Sequence, residues 1–470
     1  MQDGKPLPDK ILTANAYLGA LPIKMALDAG ADIVITGRCV DSAVTLGALL
    51  HEFNWTMSDY DKLAGASLAG HIIECGCQGV GGLHTDWASV PDWANSGYPI
   101  VECNEDGSFV VTKPDGTGGL VTPATVGEQL LYEIGDPSRY VLPDVICDFT
   151  QVEMTQEAVH RVRVRGARGL PPTTSYKVSA TYADGYRCAA QLTIVGFDAE
   201  AKVKRTAEAI LTRCRTLFKQ LQLPDFSATH IEVIGAASGY GKHIPHPHLF
   251  EAVMWLAVSH VNKQALEIFS REIAPAGTSW APGTTGAGGG RPGVSPAIKQ
   301  CAFLIDKSTL SVVVQMIAGE EVRQVATVPV LMPEQSATPN AQDTAQWEED
   351  QTVALQLSDF VEVPLIELAY ARSGDKGDIS NIGVIAREFR HLPFLRGQLT
   401  QENVAAYLAH LVKGQVTRYA LPGMHAFNFV CEQALDGGGM ASLRHDPLGK
   451  GMAQILLAMP IRVPVNWLGD

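Results

Sequence analysis

Two short segments of this chain combine the residue types that bind anions and move protons. Thr36-Gly37-Arg38-Cys39-Val40-Asp41-Ser42 sets a guanidinium three residues from a carboxylate. Arg38 can hold a carboxylate or phosphate, and Asp41 can act as acid or base, or simply cap the helix that follows. Arg372-Ser373-Gly374-Asp375-Lys376-Gly377-Asp378-Ile379-Ser380-Asn381 puts two cations and two carboxylates into a segment that offers a core almost nothing. Such density at a strand end suggests recognition. Asp375 and Asp378 can hold a divalent ion, or pair with Arg372 and Lys376 as a structural ion network, which the residue types favour slightly.

A third segment, Gly116-Thr117-Gly118-Gly119, leads into a helix with Thr122 as cap and Pro123 in the first turn. Free amides at a helix start attract anions, though a plain glycine turn reads the same way. Neither the GxxxxGK[ST] loop nor GxGxxG after a strand is present, so mononucleotide and dinucleotide sites are not supported. Gly283 to Arg291 is a glycine-rich stretch that reads as a lid or a connector, with Arg291 placed to close on an anion. His243, His246 and His248 are separated by prolines, lack a nearby Cys or Glu, and read as a loop rather than a metal site.

The elements that must hold these residues follow from periodicity. Leu21 to Gly30 reads as a helix, Ala31 to Thr36 as a strand buried on both faces, and the run through Leu46, Leu49, Leu50 and Phe53 as a second helix. That order predicts an α/β layer with a mostly parallel sheet. Residues 150–200 alternate polar and apolar, the mark of antiparallel strands. Helices are expected at 199–220 and 248–270, with a strand at 231–234 between them. Residues 333–352 lack apolar periodicity and read as a linker. The domains expected are therefore 1–332 and a smaller α+β unit at 359–470, joined by 333–358.

The chain has 470 residues, enough for two or three domains at about 150 residues each. Its formal charge of −14 and the lack of a basic run argue against nucleic acid and anionic membranes as partners. No signal-like apolar core stands at the start, so the cytoplasm is expected. Nine cysteines without a CxxC pair fit reduced thiols.

The stretches LTANAYLGALPIKMALDAGADIVITGRCVDSAVTLGALLHEFNW (12–55), HIIECGCQGVGG (71–82), GTGGLVTPATVGEQLLYEIGDPSRYVLPDV (116–145) and ARSGDKGDISNIGVIAR (371–387) resemble the acyclic terpene utilisation (AtuA-like) family. The last stretch, with RYALPGMHAFNFVCEQALDGGG (418–439), is similar to that family's C-terminal ferredoxin-like domain. The resemblance implies catabolism of acyl or acyl-CoA compounds, without a defined reaction or cofactor. Family members carry further β-α units ahead of the segment at 12–20, and the resemblance implies a misplaced start, a separate chain that supplies those strands, or a reduced sheet. A lyase, hydratase or hydrolase is expected rather than an oxidoreductase; a non-catalytic scaffold of a carboxylase-type pathway is the alternative.

The expected site places Arg38, Asp41, Asp375 and Lys376 in catalysis. Gly118, Gly119, Arg291, Arg372, Ser373, Asp378 and Asn381 are expected to bind substrate, and no metal is expected. The first pair is expected to share a cavity with the glycine turn. The expected partner is a small acyl or acyl-CoA molecule, within a homo-oligomer and alongside a pathway enzyme.

Overall fold

The longest strand, Ser175–Val195, organises the middle of the chain. Its first half is flanked by Thr13–Ala16 on one edge and Ser295–Asp306 on the other, and its second half by Glu251–His260, which in turn pairs with Ala228–Ile234. The structure is a computed structural model that describes residues 6–243, 249–285, 290–330, 360–465 and 467. The expected linker at 333–358, His246, His248 and the centre of the Gly283 to Arg291 loop lie outside the described residues.

Three hydrophobic cores are present among the described residues. The first surrounds the helices Leu21–Asp28, Ala43–Glu52, Tyr60–Glu74 and Pro123–Leu131, with the strands Phe109–Thr112 and Arg161–Arg165 contributing Phe109, Val111, Val162 and Val164. The second lies on the long sheet, where the helix Ala199–Gln220 buries Val203, Ala207, Ile210, Cys214 and Phe218 at helical spacing. The third belongs to the C-terminal part, with a four-stranded sheet ordered Ala369–Lys376, Ile379–Ala386, Ala426–Cys431, Val416–Leu421.

The mixture of helices and sheets is that of the α/β class, but the strand pairing differs from the expected mostly parallel layer. Among the described residues every paired strand runs antiparallel, and parallel contact is confined to the isolated bridges Leu18 with Cys39 and Ser96 with Gly118. The strand expected at Ala31 to Thr36 does not form. Ile33 and Ile35 are 79% and 92% exposed, because no described strand runs beside them to take up their amides and side chains. The helix expected over 248–270 is instead the strand Glu251–His260, a turn, and the helix Lys263–Glu272. Alternating burial of Ala252, Met254, Leu256 and Val258 against the long strand overrides the helix-forming residue types.

The C-terminal sheet is apolar on both faces. Ile382 and Val384 point to its own helices, whereas Ile385, with Leu421, Met424 and Ala426, joins the first core. At Gly383 an added Cβ would lie 2.4 Å from Cβ of Leu131, so only glycine lets the helix Pro123–Leu131 settle on that face. Asn381 and Asn428 close the seam: Nδ2 of Asn381 donates to the Leu131 carbonyl at 2.7 Å, and Nδ2 of Asn428 to the carbonyls of Ile134 and Gly135 at 2.9 and 2.6 Å.

A second seam joins the C-terminal part to the long sheet. Trp255 Nε1 donates to the Leu443 carbonyl at 2.8 Å, Arg187 donates to the Met440 carbonyl, and the Glu232 carboxylate pairs with both His230 and His445.

Asn428→Ala leaves two buried carbonyls without donors and is expected to cost about 3 kcal/mol, read from the shift in urea midpoint. At the second seam, the Glu232 carboxylate raises the His445 imidazole above its ordinary value. The stabilisation from His445 is thus complete below the unfolded value near 6.5 and fades as pH rises through the higher folded value. Unfolding followed from pH 5.5 to 9 should show this decline in the wild type and a smaller one in His445→Gln.

Candidate functional site

The helix Pro123–Leu131 starts with a capping box: Oγ1 of Thr122 accepts from the Thr125 amide at 3.3 Å, and Oγ1 of Thr125 accepts from the Thr122 amide at 2.9 Å. The glycine turn ahead of it is equally self-contained. The Gly118 amide donates to the Asn95 carbonyl and the Gly119 amide to the Pro91 carbonyl, both at 2.9 Å. An added Cβ at Gly118 would stand 2.0 Å from the Asp92 carbonyl oxygen, which explains the glycine by close loop packing. These contacts correct the expectation that Gly118 and Gly119 present free amides to an anion. No hydrogen bond links that turn to Arg38 or Asp41 among the described residues.

Along the strand Ala369–Lys376 the side chains alternate. Tyr370, Arg372, Gly374 and Lys376 face the first core, while Ala369, Ala371 and Ser373 face the C-terminal helices. Arg372 is 5% exposed, donating to Gln78 Oε1 at 2.8 Å and the Gly82 carbonyl at 2.7 Å, with Glu128 at 3.5 Å. Glu128 is fully buried and accepts from His84 Nδ1 at 2.9 Å and the Thr85 amide at 3.1 Å. Burial pulls the Arg372 guanidinium below its usual value despite the Glu128 charge.

Four residues expected to bind substrate therefore have structural bonds instead. Arg372 is locked beneath the strand. Ser373 Oγ donates to the Gly449 carbonyl at 2.7 Å and accepts from the Ala453 amide at 2.9 Å. Asp378 Oδ1 accepts from the amides of Leu435 and Gly437 at 3.1 and 2.8 Å, and Asn381 is held in the first seam. Arg291 is exposed at the end of its loop.

Lys376 differs from these. Its Nζ donates to Glu133 Oε2 at 2.7 Å, while its side chain remains 47% exposed. Around it lie Tyr140, Glu133 and Glu74, whose electrostatic pull outweighs burial and raises the lysine above its usual value. Glu133 has a left-handed backbone (φ 59°) just past the helix end, and its other oxygen is 3.9 Å from Lys450 Nζ. Lys450 in turn bonds the Tyr132 hydroxyl. Gly374 makes room for this corner: an added Cβ would lie 2.6 Å from Glu133 Cγ and 2.7 Å from Tyr132 Cε2.

Glu74 ends the helix Tyr60–Glu74 with Oε1 3.1 Å from His71 Nδ1. The other ring nitrogen of His71 is 3.1 Å from the carbonyls of both Gln129 and Leu130. Burial pushes the Glu74 carboxyl up, but His71, Lys376 and Arg38 prevail and hold it below the usual range. Burial raises the Tyr140 phenol strongly, with the Lys376 charge opposing and those of Glu74 and Asp41 adding. Glu74 and Tyr140 thus connect the two charged segments.

At the far side Arg38 Nη1 donates to Asp41 Oδ1 at 3.2 Å, and the guanidinium stacks 4.2 Å over the Tyr17 ring. Asp41 does not cap the next helix, whose N-cap Ser42 lacks a side-chain cap bond. Asp375 lies beside Lys376, and burial together with the charge of Glu133 lifts its carboxyl to about 6. Arg38 pairs with Asp41 and Lys376 with Glu133; among the described residues no hydrogen bond or ion pair joins the two pairs, which are related through their charges on Glu74 and Tyr140. Glu74, Glu133, Tyr140 and Lys450 were not foreseen, because a carboxylate at a helix end or a tyrosine in a short strand carries no local signal.

Among the described residues no group of three or more His, Cys, Asp or Glu has metal-binding geometry, and the nine cysteines are unpaired. No described helix is long and apolar enough to cross a membrane. A hollow of about 160 Å³ lined by Asp61, Gly65, Asp106, Gly107, Arg165 and Gly166 shares no residue with the cluster, and its walls supply one cation and two carboxylates at most.

The fold and the seam cluster define an α/β protein with a C-terminal ferredoxin-like domain, which residues 363–462 match as the AtuA ferredoxin-like domain. Residues 1–316 match the acyclic terpene utilisation family protein AtuA, and the chain belongs to that family. No curated protein and no solved structure matches it. The family ties the chain to acyclic terpene utilisation.

Removing the carboxylate in Glu128→Ala would leave the Arg372 charge buried and unbalanced. The expected cost is about 3 to 5 kcal/mol, measurable as a lower denaturation midpoint, with Gln78→Ala milder.

Proposed function

We propose that this protein is a catabolic enzyme acting on a carboxylated or CoA-linked branched acyl substrate by proton transfer, as a lyase, hydratase or hydrolase. The observation that carries this reading is Lys376: a half-exposed ammonium held between Glu133, Glu74 and Tyr140. Such a group can polarise an acyl carbonyl or hold a developing enolate. Tyr140, kept neutral by burial, is suited to donate a hydrogen bond to the same oxygen. Arg38 anchors an anionic end of the substrate, with Asp41 fixing the guanidinium. Asp375 is the group best suited to exchange protons near neutral pH, since its carboxyl sits at about 6.

The scaffold alternative draws support from one observation: Arg372, Ser373, Asp378 and Asn381 all serve packing. Turnover separates the two. Purified protein offered a panel of terpenoid and branched acyl thioesters should convert at least one. Lys376→Met should then lower kcat/KM about a hundredfold while leaving the unfolding midpoint unchanged. As a base, Asp375 works ionised, so activity should rise with pH through about 6 in the wild type, and Asp375→Asn should lose that limb. No turnover across the panel, together with co-purification of a pathway enzyme, would replace the enzyme reading with the scaffold.

A further inference from the structure

Lys177 lies on the long strand Ser175–Val195, one residue before the Ala16 to Val178 pairing. Its carbonyl accepts from the Tyr17 amide at 2.9 Å, and the next amide, Leu18, donates to the Arg38 carbonyl at 3.1 Å. The Arg38 guanidinium covers the Tyr17 ring at 4.2 Å. Backbone bonds therefore set Lys177, Tyr17 and Arg38 side by side, and the side chain of Lys177 is not enclosed by the core.

The charges around Lys177 are unbalanced. Lys376 pairs with Glu133 and Arg38 with Asp41. Lys177 has no carboxylate partner among the described residues; the neighbours that act on it are Tyr17 and the like charge of Lys376. Like charges held together are unfavourable, and a bound anion relieves the repulsion. An ammonium without a carboxylate partner, on the strand residue whose carbonyl holds the Tyr17 amide, with the Arg38 guanidinium over the same tyrosine ring, suits an anionic ligand.

We propose that Lys177 and Arg38, flanking the Tyr17 ring, form a subsite for an anionic group of the ligand, a carboxylate or a phosphate. The subsite rests on the reading above for the identity of the ligand as substrate, and on the charge arrangement alone for its anionic character. It places the anionic end of the substrate beside Tyr17, with Lys376 free for the acyl carbonyl.

Isothermal titration of the full chain with inorganic phosphate, and separately with glutarate, tests the subsite and distinguishes the two sources of the anion. Saturable binding of either is expected, weakened about tenfold or more in Lys177→Met, retained in Lys177→Arg, and unchanged in Lys263→Met, a charge loss on a helix of the second core. Binding of neither anion, or equal binding by the wild type and Lys177→Met, overturns the proposal. Circular dichroism of Lys177→Met checks that lost binding is not lost folding, and Lys177→Arg keeps the test decisive if Lys177→Met fails to fold. Anion binding that depends on Lys177 without turnover of any acyl thioester upholds the subsite and counts against the enzyme reading. Turnover unchanged in Lys177→Met although its anion binding is lost overturns the assignment of this subsite to the substrate and leaves the enzyme reading standing.

Discussion

The enclosed contact between Glu128 and Arg372 is the constraint around which the two ends of the chain are organised. A carboxylate with no exposure can remain charged only if donors surround it, and His84, Thr85 and Arg372 do so from two separate parts of the sequence. The guanidinium is fixed in turn by Gln78 and the Gly82 carbonyl. Because charged groups cannot slide past one another in an apolar seam, this contact sets the register of the C-terminal strand on the helix Pro123–Leu131. Hydrophobic packing by Ile385, Leu421 and Met424 supplies most of the adhesion, but adhesion alone has no preferred position.

Fixing that register decides what stands at the open end of the same strand. Two pleats beyond Arg372 the chain leaves the apolar seam, and Lys376 meets Glu133 where solvent enters. The acids and phenol around it come from unrelated places: a helix terminus for Glu74, a left-handed turn for Glu133, a two-residue strand for Tyr140. Glu74 has His71 as a partner in its own helix, whereas Glu133 finds Lys376 from another element, and the seam brings all three acidic or phenolic groups within the field of that lysine. The polar cluster is thus a by-product of how the cores meet.

Much of the fold was legible before the structure. The helix Ala199–Gln220, the capped helix at Thr122 and the alternation through 150–200 follow from local periodicity and capping chemistry. What failed was whatever depends on neighbours. Ile33 to Thr36 has the composition of a buried strand, yet a strand exists only where another backbone lies beside it. Glu251–His260 has helix-compatible residues, and a long partner strand made it a strand. At the site, residue type singles out Arg38, Asp41, Asp375 and Lys376 as candidates, but it cannot tell Lys376 from Arg372. Two cations in one segment differ only by which side of the pleat they occupy and what waits there.

That pleat carries a consequence for how the sequence can vary. From Ala369 to Lys376 the strand faces different surroundings on its two sides: methyl groups seated among helices on one, charge and ring on the other. Deleting or inserting a single residue upstream within the strand would turn every side chain over at once, putting a guanidinium among leucines and an alanine opposite Glu128. Loops elsewhere can lengthen freely, but here length is quantised in pairs. Point replacements and changes of two residues at a time keep each side chain on its own face.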